Sequence, residues 1–242
     1  MRADRPARPL GWRDLALIVI LFLVLMAAGI VAVQFALLAL PAPVPEFMVT
    51  MALIAIMPAA LGASVYLIAV RRRGLGWAGI GFRPTTPRHM ARALGLWLLC
   101  LPMVALANYV TYRLTDSLLL AKQMDWLPRD ELGWPRAALL FALIALIVPV
   151  AEEAFFRGVL YGWLRRHWRA LPSALVSAAL FSLAHLMVEA MLPMLVLGLA
   201  LAWIYERSGS LWPAVAAHMA QNGATLVVVF AALSSGVPLT EL

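Results

Sequence analysis

The chain has 242 residues, 64% of them hydrophobic and 13% charged, with a mean hydropathy of +0.90. A soluble domain carries about 45–50% apolar and about 25% charged residues, so this composition excludes a soluble globular protein and points to one embedded in a bilayer. The net charge is +7, from 19 basic residues of which only Lys122 is a lysine; the arginines lie between apolar runs, which bears on orientation in a membrane rather than on nucleic acid.

The apolar runs are long and continuous, which is the pattern of spanning helices and not of a β-barrel. Residues 1–14 are polar and basic, with Arg2, Arg5, Arg8 and Arg13. The run Leu15–Leu40 is too long for a signal-peptide core and reads as a first span that stays. After the prolines at 41, 43 and 45 comes a second span, Phe47–Val70, in which Pro58 and Gly62 allow a kink. A basic, Gly-rich stretch follows, with Arg71, Arg72, Arg73, Arg83, Arg88 and Arg92. Thr86-Pro87 has the form of an N-cap followed by proline at the first helical position, opening a third span over about Met90–Arg113.

Residues 114–136 are mixed and acidic, with Asp116, Asp125, Asp130 and Glu131. Part of this stretch is expected at the membrane surface. Ala137–Val148 is apolar, Pro149 interrupts it, and the helical pattern resumes to Trp163; segment 137–164 counts as one broken crossing or two pieces. Pro172 to about Val188 is a short span, Ala190–Tyr205 the next, and Leu211–Leu233 the last. The expectation is an all-α, polytopic transmembrane bundle of about seven to eight helices, with seven crossings. Residues 1–14 form a basic cytoplasmic N-terminus and 15–242 a single membrane-embedded domain.

Charge supports this count. Fourteen arginines (at the N-terminus, in 71–92, and at 165, 166, 169 and 207) fall on one side, against Arg113, Lys122, Arg129 and Arg136 on the other. By the positive-inside rule the first side is cytoplasmic, which puts the N-terminus in the cytoplasm of a cell with this protein in its inner membrane. Trp12, Trp163, Trp168 and Trp212 fall near span ends, as an interfacial belt does. The lone Cys100 lies in a span and excludes an intrachain disulfide.

Three polar clusters sit inside the later spans. The first is Pro149-Val150-Ala151-Glu152-Glu153-Ala154-Phe155-Phe156-Arg157-Gly158. Ionisable groups in hydrocarbon are costly and mark function by default. On a helix Glu153 and Arg157 are one turn apart and can pair, while Glu152 points about 100° away and needs another partner. The second is Phe181 with His185; His185 and Glu189 also share i, i+4 spacing. The third is His218 with Asn222, again on one helix face. At 1.5 Å per residue, Glu152 and His185 lie roughly 20 Å from the cytoplasmic edge, Arg157 roughly 12 Å, His218 roughly 10 Å and Asn222 roughly 16 Å. Independent structural polar residues have no reason to agree in depth.

Taken singly, each cluster has a plainer explanation: a structural ion pair, interhelical hydrogen bonding, a satisfied buried histidine. Ser177 and Ser182 read as close-packing small residues, and no serine sits in a Gly-x-Ser-x-Gly context. Together, however, a Glu beside a His can deprotonate a water, and a second His with an Asn can donate to a developing oxyanion. Those are the parts of peptide hydrolysis. Glu152, His185 and His218 could alternatively hold a divalent metal such as zinc, although the helical His-Glu-x-x-His motif is absent. A proton-coupled transporter could use the same buried groups, but no broken-helix pattern repeats along the chain. A non-catalytic immunity or scaffold protein is the other alternative.

At these residues the chain resembles the CPBP intramembrane proteases, which comprise CAAX-prenyl endopeptidases and bacteriocin-processing or immunity (Abi-like) proteins. Glu152, Glu153 and Arg157 match the family's Glu-Glu-x-x-x-Arg, with the accompanying Phe156-Arg157-Gly158. Phe181 and His185 match Phe-x-x-x-His. His218 and Asn222 match His-x-x-x-Asn, preceded by Ser210-Leu211-Trp212-Pro213. The likeness covers about 149–222. It implies a multi-helix protease open to the cytoplasm, in which Glu152 and His185 activate water, His218 and Asn222 stabilise the oxyanion, and Arg157 supports Glu153. It implies a membrane-associated peptide or protein as substrate, and leaves both a glutamate-dependent and a metal-dependent site open; the roles assigned need no ion.

Overall fold

The structure, a computed structural model, describes residues 9–119, 122, 127 and 132–235. Among these there is no strand; the secondary structure is helical. Six helices are long and apolar enough to cross a membrane: α1 (Trp12–Ala39), α2 (Glu46–Arg72), α3 (Pro87–Thr115), α4 (Trp134–Leu164), α6 (Val188–Ser208) and α7 (Leu211–Ser235). Between α4 and α6 lies the shorter apolar helix α5 (Ala170–Leu183), and a single helical turn, Gly76–Gly79, follows α2. Hydrocarbon offers the backbone no hydrogen-bond partner, so an apolar segment must satisfy itself as a helix. The all-α expectation therefore holds, with boundaries within a few residues for every long span. Arg2, Arg5 and Arg8, and the loop residues Asp125, Arg129, Asp130 and Glu131, lie outside the described residues.

Local chemistry sets several helix ends. Thr86 Oγ1 accepts from His89 N at 3.2 Å with proline at the first position of α3, as the Thr-Pro pair indicates. At the start of α1, Asp14 accepts from Gly11 N at 2.8 Å and is fully buried. It also takes a two-pronged contact from Arg73, with both distances 2.7 Å, and so ties the beginning of α1 to the end of α2. A planar guanidinium fork suits a carboxylate in this way.

The Arg-rich connections gather at one end of the bundle. There Arg166 donates to Leu10 O at 2.7 Å, Arg165 and Tyr161 both bond Glu206, and Ser210 Oγ donates to Arg83 O at 2.7 Å. The stretch after α2 folds over this end: Leu211 N donates to Gly81 O at 2.8 Å, and Ile80 is buried against α4. Gly158 is needed for that approach. A Cβ there would stand 2.4 Å from the Ile80 carbonyl oxygen.

Helix α6 is central. It packs on α3, α5 and α7, while α7 also packs on α3 and α4, and α1 and α2 lie outside against one another and against α4. Gly198 of α6 permits close contact with α5, since a Cβ would stand 2.9 Å from that of Ala178. Ser177 and Ser182, read as packing residues, donate to the carbonyls of Phe156 and Met191 and so also bind neighbouring segments.

Two expectations change. Segment 137–164 is not two pieces: α4 runs unbroken for 31 residues. It absorbs Pro149 by widening into π-helical turns over Ala142–Ile147, and widens again over Ala154–Tyr161. The short span does not reach Val188. Helix α5 has 14 residues, about 21 Å against a hydrocarbon core of about 30 Å, and stops at Leu183. A turn through Leu186, left-handed at φ 55°, leads into α6. His185 is therefore in a turn and Glu189 in the first turn of α6, and the two do not share one helix face.

These two places make opposite predictions. Gly158→Ala forces Ile80 away and is expected to cost about 1–3 kcal/mol, as overpacking does. Leu186→Gly is expected to leave stability unchanged or raised, because a left-handed L-residue costs roughly 1–2 kcal/mol and glycine's entropic cost is roughly 0.5–1 kcal/mol. Thermal unfolding of both variants in detergent micelles checks the contrast.

Candidate active site

The site grows from α4. Glu153 and Arg157, one turn apart, form an ion pair at 2.7 Å, and neither side chain is exposed. The second guanidinium arm donates to Gly198 O of α6 at 3.0 Å, and the guanidinium carbon lies 4.5 Å from the centre of the Phe181 ring. A charge this deep needs both pairing and hydrogen bonds. Glu153 Oε1 also meets His218 Nδ1 at 2.9 Å. Phe181, unexposed, makes edge-to-face contacts with Phe156, His185 and His218 at 5.1, 5.0 and 5.7 Å. It sits one turn before His185, as expected, but it joins the three motifs rather than merely filling space.

Partners fix the orientation of each imidazole and amide. His185 Nδ1 lies 2.9 Å from Phe181 O. A carbonyl only accepts, so Nδ1 carries a proton, and in the neutral ring Nε2 keeps the lone pair. The same bond covers a carbonyl at the end of α5. His218 Nδ1 donates to Glu153, and its Nε2 lies 3.6 Å from Glu152 Oε2, too far for a direct hydrogen bond. Asn222 Nδ2 donates to Ile144 O at 3.1 Å. In the π register Val148 N bonds Leu143 O. The next donor would be the nitrogen of Pro149, which has no hydrogen, so Ile144 O is left for Asn222.

Glu152, His185, His218 and Asn222 all line one cavity of about 250 Å³, with Gln221 and Thr225 beside them and Ile144, Val148, Met194 and Leu226 as apolar walls. Glu153 and Arg157 lie behind it, fully buried. The structure thus brings all six expected residues together, four on the cavity and two in support. No hydrogen bond joins Glu152 to His185 among the described residues. Nor do any three His, Cys, Asp or Glu side chains among them converge to hold a metal. Glu152, His185 and His218 share a cavity without forming a closed ligand set. Gln221 and Thr225 were not singled out in the sequence. Their only signal is their position one turn along α7 from His218 and Gln221, respectively.

A helical membrane protein with Glu, His and Asn side chains around one cavity is the class that fold and site define. Residues 134–224 match the family described as type II CAAX prenyl endopeptidase Rce1-like. The chain is also 26% identical over 91 residues to "Putative membrane peptidase YdiL" of Bacillus subtilis (strain 168), a match covering 38% of this chain and 36% of that protein's length. Both findings support the CPBP family that the three motifs indicate. No solved structure matches the chain.

The Arg157 arrangement predicts a large one-sided penalty. Arg157→Met leaves Glu153 buried without its cation and is expected to cost about 3–5 kcal/mol. The double variant Glu153→Gln/Arg157→Met removes both charges and is expected to recover a good part of that loss. Unfolding by increasing SDS fraction in mixed micelles measures all three proteins.

Proposed function

We propose that the protein is an intramembrane endopeptidase that hydrolyses peptide bonds of membrane-associated peptides or proteins. The observation that carries the reading is the cavity: Glu152, His185, His218 and Asn222, drawn from three separate motifs, line a single space. The family and the relative, each concerned with peptidases by description, support it.

The chemistry follows from the proton positions. His185 presents the Nε2 lone pair and Glu152 a carboxylate that is 12% exposed, while its neighbour Glu153 is sealed. A water between Glu152 and His185 loses a proton as its oxygen attacks the scissile carbonyl carbon. The carbonyl electrons move to oxygen, and the resulting oxyanion takes hydrogen bonds from the second N–H of Asn222 and from His218 Nε2. With Nδ1 donating to Glu153, Nε2 donates to the oxyanion when the ring carries both protons. The C–N bond then breaks, and the leaving amine receives the proton that the water gave up. Arg157 holds Glu153, and Glu153 holds His218. These roles need no metal; a divalent ion at Glu152, His185 and His218 is the other arrangement to be tested.

The cytoplasmic assignment of the Arg-rich end rests on charge. It puts the N-terminus in the cytoplasm. In a Cys100→Ser background, Pro43→Cys is expected to react with an impermeant maleimide in intact cells, and Pro84→Cys only after permeabilisation. The reverse pattern would invert the topology.

Activity is tested on purified protein in nanodiscs with a broad library of apolar peptides. Wild type is expected to cleave, and Glu152→Gln and His185→Ala are expected to lose at least about 100-fold, as removal of a general base does, with unchanged unfolding profiles. Chelator-sensitive cleavage, restored by one added metal, would replace the metal-free scheme. Well-folded wild type that cleaves nothing but conducts ions, or binds a protein partner, would move the protein to the transporter or scaffold class.

A further inference from the structure

Beside the expected site residues, Gln221 is held in a way that catalysis as described does not use. Trp97 of α3 donates its indole N–H to Gln221 Oε1 at 3.0 Å. An indole nitrogen is a donor only, so the atom facing it must be the amide oxygen. The NH₂ group is thereby turned away from Trp97. Its nearest partner is Thr225 Oγ1 at 3.5 Å, the limit of a hydrogen bond, while the Thr225 hydroxyl itself donates to Gln221 O at 3.0 Å. The NH₂ has two protons and at most one weak acceptor. Both residues line the cavity.

Positions 218, 221, 222 and 225 fall on one face of α7. They extend about 10 Å along it, the length of about three residues of extended peptide. The walls around them are apolar: Ile144, Val148, Met194 and Leu226. A peptide bond can be attacked only where the substrate is unwound. Inside a bilayer the backbone groups so released have no water to bond, and the protein must supply the partners.

We infer that Gln221 binds the substrate backbone: Trp97 fixes its amide so that Nε2–H donates to a carbonyl of an extended, apolar peptide segment flanking the scissile bond. This rests on the endopeptidase reading. Trp97 is then a positioning residue, acting through Gln221. The substrate class is a peptide whose residues beside the cut are apolar and β-like, lying along α7.

The test uses the full chain in nanodiscs and a cleavable apolar peptide series in which single backbone amides are replaced by esters, which weakens one carbonyl acceptor at a time. Gln221→Met is expected to raise KM roughly 5- to 150-fold, the range for leaving a buried polar group unpaired, with kcat nearly unchanged. One ester position should weaken wild type and have no effect in Gln221→Met. Trp97→Phe should raise KM less, and add nothing in the Gln221→Met background. If Gln221→Met does not insert, Gln221→Glu keeps the acceptor for Trp97, lacks the NH₂, and carries the same comparison. Equal KM values in wild type and the Gln221 variant, or identical ester profiles, would overturn the inference alone. Wild type that cleaves no peptide removes the endopeptidase reading and this inference with it.

Discussion

A guanidinium with no exposure, placed within the membrane-spanning part of the bundle, is the constraint on which the rest depends. Arg157 is held there by the Glu153 carboxylate, the Gly198 carbonyl and the face of Phe181, with only its Nε lacking a hydrogen-bond partner among the described residues. Those partners come from three helices. Satisfying one cation therefore fixes α4 against α5 and α6, and through Glu153 and His218 against α7 as well. Hydrophobic burial does not distinguish one helix pairing from another where lipid is as apolar as the core. The pairing here is specified by polar groups that tolerate few alternatives.

The same logic orients the reactive groups. A membrane interior lacks water to correct a misplaced donor, so each ring and amide is set by a neighbour that can only give or only accept. Phe181 O sets His185, Glu153 sets His218, Ile144 O sets Asn222, and the Trp97 indole sets Gln221. Phe181, Glu153 and Trp97 are not among the cavity-lining residues, while His185, His218, Asn222 and Gln221, which they and Ile144 orient, all are. The site is preorganised from behind.

Much of this was legible in the chain. Long apolar runs located the spans, the Thr86-Pro87 cap located the start of α3, and motif spacing with depth agreement picked out six residues that the structure gathers in one place. The end of α5 was not legible. Between Phe181 and Met191 there is neither glycine nor proline, so the apolar pattern runs through the turn that the backbone makes at Leu186. The π-helical turns of α4 leave no mark in hydrophobic periodicity over six to eight residues. Trp97 and Gln221 meet across 124 positions, and a single chain carries no signal of such a pairing. The role of Gly158 was visible only as an adjunct of a motif; the approach of Ile80 explains it.

The widened turns of α4 have a consequence for how this chain tolerates change in length. Each π-helical turn holds a residue more than an α-helical one, and Glu152 lies between two such stretches. Removing one residue from an ordinary α-helical turn rotates everything beyond by about 100°, whereas removing one from either wide stretch is taken up by tightening that turn into α-helical register. The wide turns are thus the places in α4 where a residue can be lost while the helix beyond keeps its facing. Away from them a deletion would swing the glutamates relative to Ile144 and its bond to Asn222 without altering any of those side chains. The residue count of α4 is as much part of the candidate site as its composition.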